Sequence, residues 1–288
     1  MIMKILAVMV ASWRKLAPQS TVRIISLAVL FAVSAAAQWL HLPTPGLPRT
    51  SDGKPDLAAP APKTSAGKPD FSGMWVPRDQ MACDPKVGVA QCAELPLTPQ
   101  LGNFALGLNG GLPYQPWAAE LFKNRAKEAG YIDPHAHCMP PNFPRAWAFP
   151  ETQKIFQTPT QLVILHEFNA SYRQIFFDGR KLPEDMLPTW SGYSVAHWEG
   201  DTLVVESAGY RDDSWLDARG NFFSSEARVT ERIRRPSFGS LDIDVTVNDA
   251  KVFTVPWTVS LHMKPLLDTE MMDFMCLENN KDPGHFIR

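Results

Sequence analysis

The sequence predicts a mainly β domain, an antiparallel meander forming a curved sheet or an up-and-down barrel, with one helix and a long N-terminal leader. Beyond Phe149, short runs of alternating β-branched and aromatic residues follow one another with turn residues between them. No helix-period segment separates those runs, which excludes a parallel sheet built from βαβ units. Leu241, Ile243, Val245 and Val247 alternate with Asp242, Asp244, Thr246 and Asn248, so one face of that strand suits a core and the other water.

Residues 1–37 hold Lys4, Arg14, Lys15 and Arg23 and no acid, then an apolar run from Ile24 to Ala36 that ends in Ala35-Ala36-Ala37. A basic start, a short apolar stretch and small residues before Gln38 read as a secretory signal peptide. The run is shorter than the ~20 residues a spanning helix needs, so no stable membrane span is expected after cleavage; a retained anchor is the alternative. The mature chain is therefore expected in the periplasm or secreted.

Residues 38–70 are rich in Pro, Ala, Gly and Lys, and Thr50-Ser51-Asp52-Gly53-Lys54-Pro55-Asp56-Leu57 returns as Thr64-Ser65-Ala66-Gly67-Lys68-Pro69-Asp70-Phe71. Two copies make no solenoid, and the composition is that of an extended linker leading into a first strand at Phe71–Trp75. A single domain over residues 71–288 follows. Its one helix is placed at about 116–129, with Pro116 in the first turn, Trp117 and Leu121 on one face and Gly130 as the cap.

Strands are expected at 154–158, 161–168, 172–177, 193–198, 202–207, 227–233, 241–248, 252–261 and 270–276. Asp178-Gly179 and Glu199-Gly200-Asp201 mark tight turns, and Glu199 and Asp201 are assigned to the turn. Consecutive strands joined by short links suit a calycin-like barrel with a hollow for a small molecule.

The whole chain carries 28 basic and 30 acidic residues, and the basic leader makes the remainder more acidic still, so nucleic acid is not an expected partner. The four cysteines, Cys83, Cys92, Cys138 and Cys276, form an even set in an exported chain and read as two disulfides. The favoured pairing is Cys83–Cys92 and Cys138–Cys276; a free Cys138 thiol beside His137 is the alternative. Oligomeric state is not encoded in any of these patterns.

Nucleotide-loop, dinucleotide, serine-hydrolase, zincin and C-x-x-C signatures are absent, which leaves no expected cofactor. His135 and His137 at i, i+2 would face one way on an extended backbone and, with His166, form the alternative of a divalent metal site. His166 lies on the otherwise apolar face Leu162, Ile164, Phe168, and Glu167 lies on the face of Val163 and Leu165. An ionisable group in such surroundings has a shifted pKa suited to proton transfer. The structural alternative is a Glu167–Arg173 ion pair across the hairpin. Trp190, Tyr193 and His197 sit upstream of the Glu199 turn, where they could line a mouth, with Arg145 a further substrate-binding candidate.

Cys138-x-Pro140-Pro141-x-x-Pro144-Arg145, Asp178-Gly179-Arg180, Trp198-Glu199-Gly200-Asp201-Thr202-Leu203-Val204-Val205, Thr230-Glu231-Arg232 and Pro256-Trp257-Thr258 together resemble a large group of exported, functionally uncharacterised bacterial proteins. The resemblance spans about Asp70 to Asn280. Proteins of this kind often carry a histidine within Gly220–Ser224, where this chain has Phe223, and the group implies no activity.

These readings lead to a cofactor-independent lyase or isomerase acting on a hydrophobic, aromatic or terpenoid-like small molecule. His166 or His137 would be the base, Tyr172 and Arg173 would steady an oxyanion, and Glu167 would orient the set. The alternative of a different class is a non-catalytic exported barrel that binds an apolar ligand.

Overall fold

The computed structural model describes residues 42–78, 102–106, 108–128 and 132–278. The expected signal peptide and the Cys83–Cys92 pairing lie outside the described residues. The chain divides after Pro43, and the unit that begins at Thr44 carries the fold.

Its strands are β1 (Gly73–Pro77), β2 (Gln153–Gln157), β3 (Gln161–His166), β4 (Ser171–Phe176), β5 (Tyr193–Glu199), β6 (Thr202–Ala208), β7 (Arg228–Ser237), β8 (Ser240–Asn248) and β9 (Trp257–Pro265). Each pairs with the next in chain order, and β1 pairs with β9, so the sheet closes into a barrel. Closure removes most of the free edges that would otherwise invite aggregation. The strands from β6 to β9 are the regular part: on β8, Leu241, Ile243, Val245 and Val247 are all fully buried, as their alternation predicts. Pro236, which cannot donate to a ladder, sits where the β7–β8 register shifts between Arg234 and Ser237.

Three elements depart from expectation, while the helix forms where the sequence places it. The β4–β5 pair is parallel and only two residues long, Ile175↔Ser194 and Phe176↔Val195, because residues 177–192 carry the chain back before β5 begins. The last strand starts at Trp257 rather than Val252, since Pro256 and the turn at 249–253 occupy the earlier part. Residues 270–276 form no strand: Phe274 makes an isolated bridge with Phe168, and Met272 and Cys276 donate their amides to the side chains of Glu167 and Asn169. Helix α1 runs from Pro116 to Lys127; Ala118 is its buried residue, while Trp117 is half exposed and donates its indole N–H to Lys251 O.

Each repeat copy folds into the same turn. Thr50 N–H donates to Lys54 O at 2.9 Å and Thr64 N–H to Lys68 O at 2.8 Å, with Gly53 and Gly67 at φ +83° and +76°, a region that favours glycine. The described part of this segment is docked on the barrel. Leu57 O and Ala59 O accept the amides of Gly239 and Phe238 at the β7–β8 turn. Lys68 Nζ donates to Gly200 O at 2.7 Å, and Phe71, fully buried, stacks on Trp198 at 5.5 Å.

The barrel interior is filled. Trp75, Ile155, Leu162, Ile164, Ile175, Leu203, Val205, Val229 and the β8 residues form the apolar part. The segment from Asn142 to Phe149 is buried throughout and carries Trp147 to the interior Glu231. Gln153 Nε2 holds this segment by donating to Ala146 O at 2.8 Å.

Candidate functional site: a cleft in the barrel wall

Arg173 faces inward on β4 and meets Glu231 of β7; both side chains are buried. Nη1 donates to Glu231 Oε1 at 3.0 Å, Nη2 to Glu231 Oε2 and to Ser207 Oγ at 2.9 Å, and Nε to Ser194 Oγ at 3.1 Å. Phe143 lies under the guanidinium at 4.7 Å. Burial works against the charge on Arg173, but the facing carboxylate overrides it and holds the pKa above its ordinary value. Each nitrogen of the guanidinium thereby donates at least once within the protein. The alternative Glu167–Arg173 ion pair does not form: Glu167 accepts the amides of Thr152 and Met272, each at 2.9 Å.

Because β5 meets β4 only at Ile175 and Phe176, the segment Ser171–Gln174 is paired with β3 alone. The chain before β5 swings away instead, and Thr189 pairs with Tyr210. Between the two runs opens a cleft of about 530 Å³, with Tyr172, Phe176, Trp190 and Tyr193 around it and Arg173 at its base. Phe176 and Tyr193 stack at 5.6 Å, the Arg180 guanidinium lies 3.9 Å over Phe176, and Arg211 lies 4.7 Å over Trp190. Tyr172 is 63% exposed, so its ring is open to a ligand. Arg180 donates to Tyr193 Oη at 3.0 Å and pairs with Asp178 at 2.6 Å. The cleft thus offers aromatic faces, an unpaired strand edge and cations already matched by carboxylates.

This cleft brings together four residues singled out from the sequence, Tyr172, Arg173, Trp190 and Tyr193. The other candidates lie elsewhere. Arg145 is buried in a bidentate pair with Asp133 at 2.8 and 2.5 Å, so its fork is occupied by the protein's own carboxylate. His197 is exposed on the outer face and contacts Glu199 at 3.3 Å. Residues 134–137 form a 3-10 turn rather than an extended run, which sends His135 and His137 in different directions. Among the described residues no cluster of three His, Cys, Asp or Glu is disposed to hold a metal ion.

His166 is fully buried, and its Nδ1 accepts the Phe168 amide at 3.2 Å. The ring proton therefore resides on Nε2, a buried atom with no hydrogen-bond partner among the described residues. Burial lowers its pKa to about 4, with the Ala146 and Phe168 backbone groups acting the other way. His135, packed on Phe168 at 4.1 Å and Phe149 at 4.4 Å, is lowered by burial to about 3. Glu151 is pushed up to about 7 by burial, and the neighbouring Glu167 adds to the rise.

The residues missed in the sequence are Glu231, Ser194, Ser207 and Trp147. The alternation Val229, Glu231, Ile233 places a carboxylate on a buried face, and that is the signal that could have found the first. Cys138 and Cys276 are joined, as expected. No helix among the described residues is long and apolar enough to cross a membrane. Compared with protein families and with curated proteins, the chain matches no family model and no curated sequence.

Proposed function

We propose that the protein is an exported, non-catalytic barrel, periplasmic or secreted, that binds a hydrophobic aromatic small molecule in the β4–β5 cleft. The observation that carries this reading is the state of the cleft's charges: Arg173 is committed to Glu231 and Arg180 to Asp178. What remains for a ligand is ring surface from Tyr172, Trp190 and Tyr193, together with the backbone groups of the β4 edge. Aromatic walls with a few hydrogen-bonding groups suit a planar apolar compound bearing a hydroxyl or carbonyl. The lyase or isomerase reading has less support, since His166 is buried, has its Nδ1 lone pair taken by the Phe168 amide and does not line the cleft.

The test is titration of the purified protein with naphthol, followed by fluorescence and by NMR of the tyrosine and tryptophan rings. Tyr172→Ala and Trp190→Ala should each weaken binding about tenfold, the loss of roughly one stacked ring. Unchanged affinity in both variants would overturn the cleft assignment. Conversion of the probe that disappears in His166→Ala would replace the carrier reading with the enzymatic one.

A further inference from the structure

A second cavity, of about 470 Å³, lies between the 103–114 segment and α1, away from the β4–β5 cleft and sharing no lining residue with it. Leu112, Tyr114 and Phe122 give it an apolar wall. Tyr114 is fixed there, stacked on Phe122 at 5.6 Å and Phe222 at 5.6 Å, with its hydroxyl donating to Asn221 Oδ1 at 3.0 Å and accepting the Phe222 amide.

The charged groups along this wall are of one sign. Lys123 and Arg219 line the cavity, and no carboxylate does among the described residues. The Arg219 guanidinium has no ion-pair partner among those residues, and Lys123 has only Glu120, at 3.4 Å in an exposed i, i+3 pair that solvent weakens. Asn103 lines the same wall; its oxygen accepts the Ala105 amide and Asn221 Nδ2, and its NH2 group carries two N–H donors. Beneath them, Asp217 is buried and accepts the Phe104 amide at 2.6 Å, Asn221 Nδ2 at 2.5 Å and the amides of Arg219 and Asn221. That carboxylate is occupied as the anchor holding the 103–104 and 217–221 segments together.

We infer that this cavity is a second ligand site, for a small organic anion with an apolar body, such as a carboxylate on an aromatic or short aliphatic frame. The apolar body lies against Tyr114, Phe122 and Leu112, and the carboxylate meets Arg219, Lys123 and the Asn103 amide. Two cations and an amide donor against one apolar wall select an acid over its neutral amide, because only the acid carries a charge to match. The site is independent of the β4–β5 cleft, which has its cations already paired.

The test uses the full exported chain with phenylacetate, benzoate and hexanoate, and with phenylacetamide as the neutral match, by calorimetry and by NMR of the Asn103 and Asn221 side-chain amides. At least one acid should bind with Kd below about 1 mM and move those amide signals, with phenylacetamide weaker than phenylacetate by about tenfold or more. Arg219→Gln and Lys123→Gln, both at exposed positions, should each weaken it about fivefold, and added salt should weaken it further. Trp190→Ala should leave this binding unchanged while weakening naphthol binding in the cleft about tenfold, so the two sites succeed or fail separately. Equal binding of acid and amide, an unaltered double variant, or no acid binding below about 1 mM would overturn the inference.

Discussion

Trp147 donates its indole N–H to Glu231 Oε1 at 2.6 Å, and that same oxygen accepts Arg173 Nη1 at 3.0 Å. One carboxylate therefore ties the buried 142–149 segment to β7 and β4 at once. A buried ion pair of this kind is a specificity device more than a source of stability, because desolvation offsets most of its attraction. Removing one partner is another matter, as the survivor is left charged and unmatched.

Glu231→Leu and Arg173→Met should each lower stability by about 3–5 kcal/mol in urea unfolding. The double variant should recover much of that loss, since it leaves no orphan charge. Additive losses in the double variant would show that the two side chains act separately, contrary to their shared hydrogen bonds.

The β class was legible because alternation is a local property, and β8 shows it at every residue from Leu241 to Val247. Closure and partner choice were not. Arg173 stands two residues from Ser171 at the β3–β4 turn, so Glu167 looked like its natural partner, yet the barrel's curvature brings Glu231 to it from 58 residues away. The parallel β4–β5 contact has no sequence signature, since its two paired positions are set by where residues 177–192 return. The wall cleft exists because of that contact. Its aromatic residues could be read from the sequence, but the gap between the strands could not.

Two groups whose pKa values are shifted by burial pull stability in opposite directions over nearly the same pH interval, so their contributions largely offset each other in the wild type. His166 has its pKa lowered from 6.5 to about 4, so the unfolded chain binds the proton more readily; stability is lost as pH falls through that interval. Glu151 has its pKa raised from 4.5 to about 7, so the folded state favours the neutral acid, and stability is lost as pH rises through that interval. Each shift corresponds to about 3 kcal/mol at its limit. Melting temperature should fall as pH rises from about 4.5 to 7 in His166→Gln, and as pH falls from about 6.5 to 4 in Glu151→Gln, against a flatter wild-type curve. The wild-type profile persisting in both variants would assign the pH dependence to other groups.

Asn169 brackets the disulfide: its Nδ2 donates to Cys138 O at 2.6 Å and its Oδ1 accepts the Cys276 amide at 3.0 Å. The two half-cystines are 138 residues apart, so the covalent link closes a loop whose entropy is worth about 4–5 kcal/mol in the chain-entropy model. With the bond intact, the side-chain clamp is largely redundant, and Asn169→Ala should cost about 1 kcal/mol. Without it, the clamp becomes a remaining tether between Cys138 and the 270–276 segment, and the same substitution should cost more in the Cys138→Ala, Cys276→Ala background. Pro140 and Asn169 also line the β4–β5 cleft, so loosening this corner should weaken naphthol binding along with stability. Unfolding of the four variants, with naphthol titration of each, checks both effects. Equal cost of Asn169→Ala in both backgrounds would mean that the clamp and the covalent bond hold the segment independently.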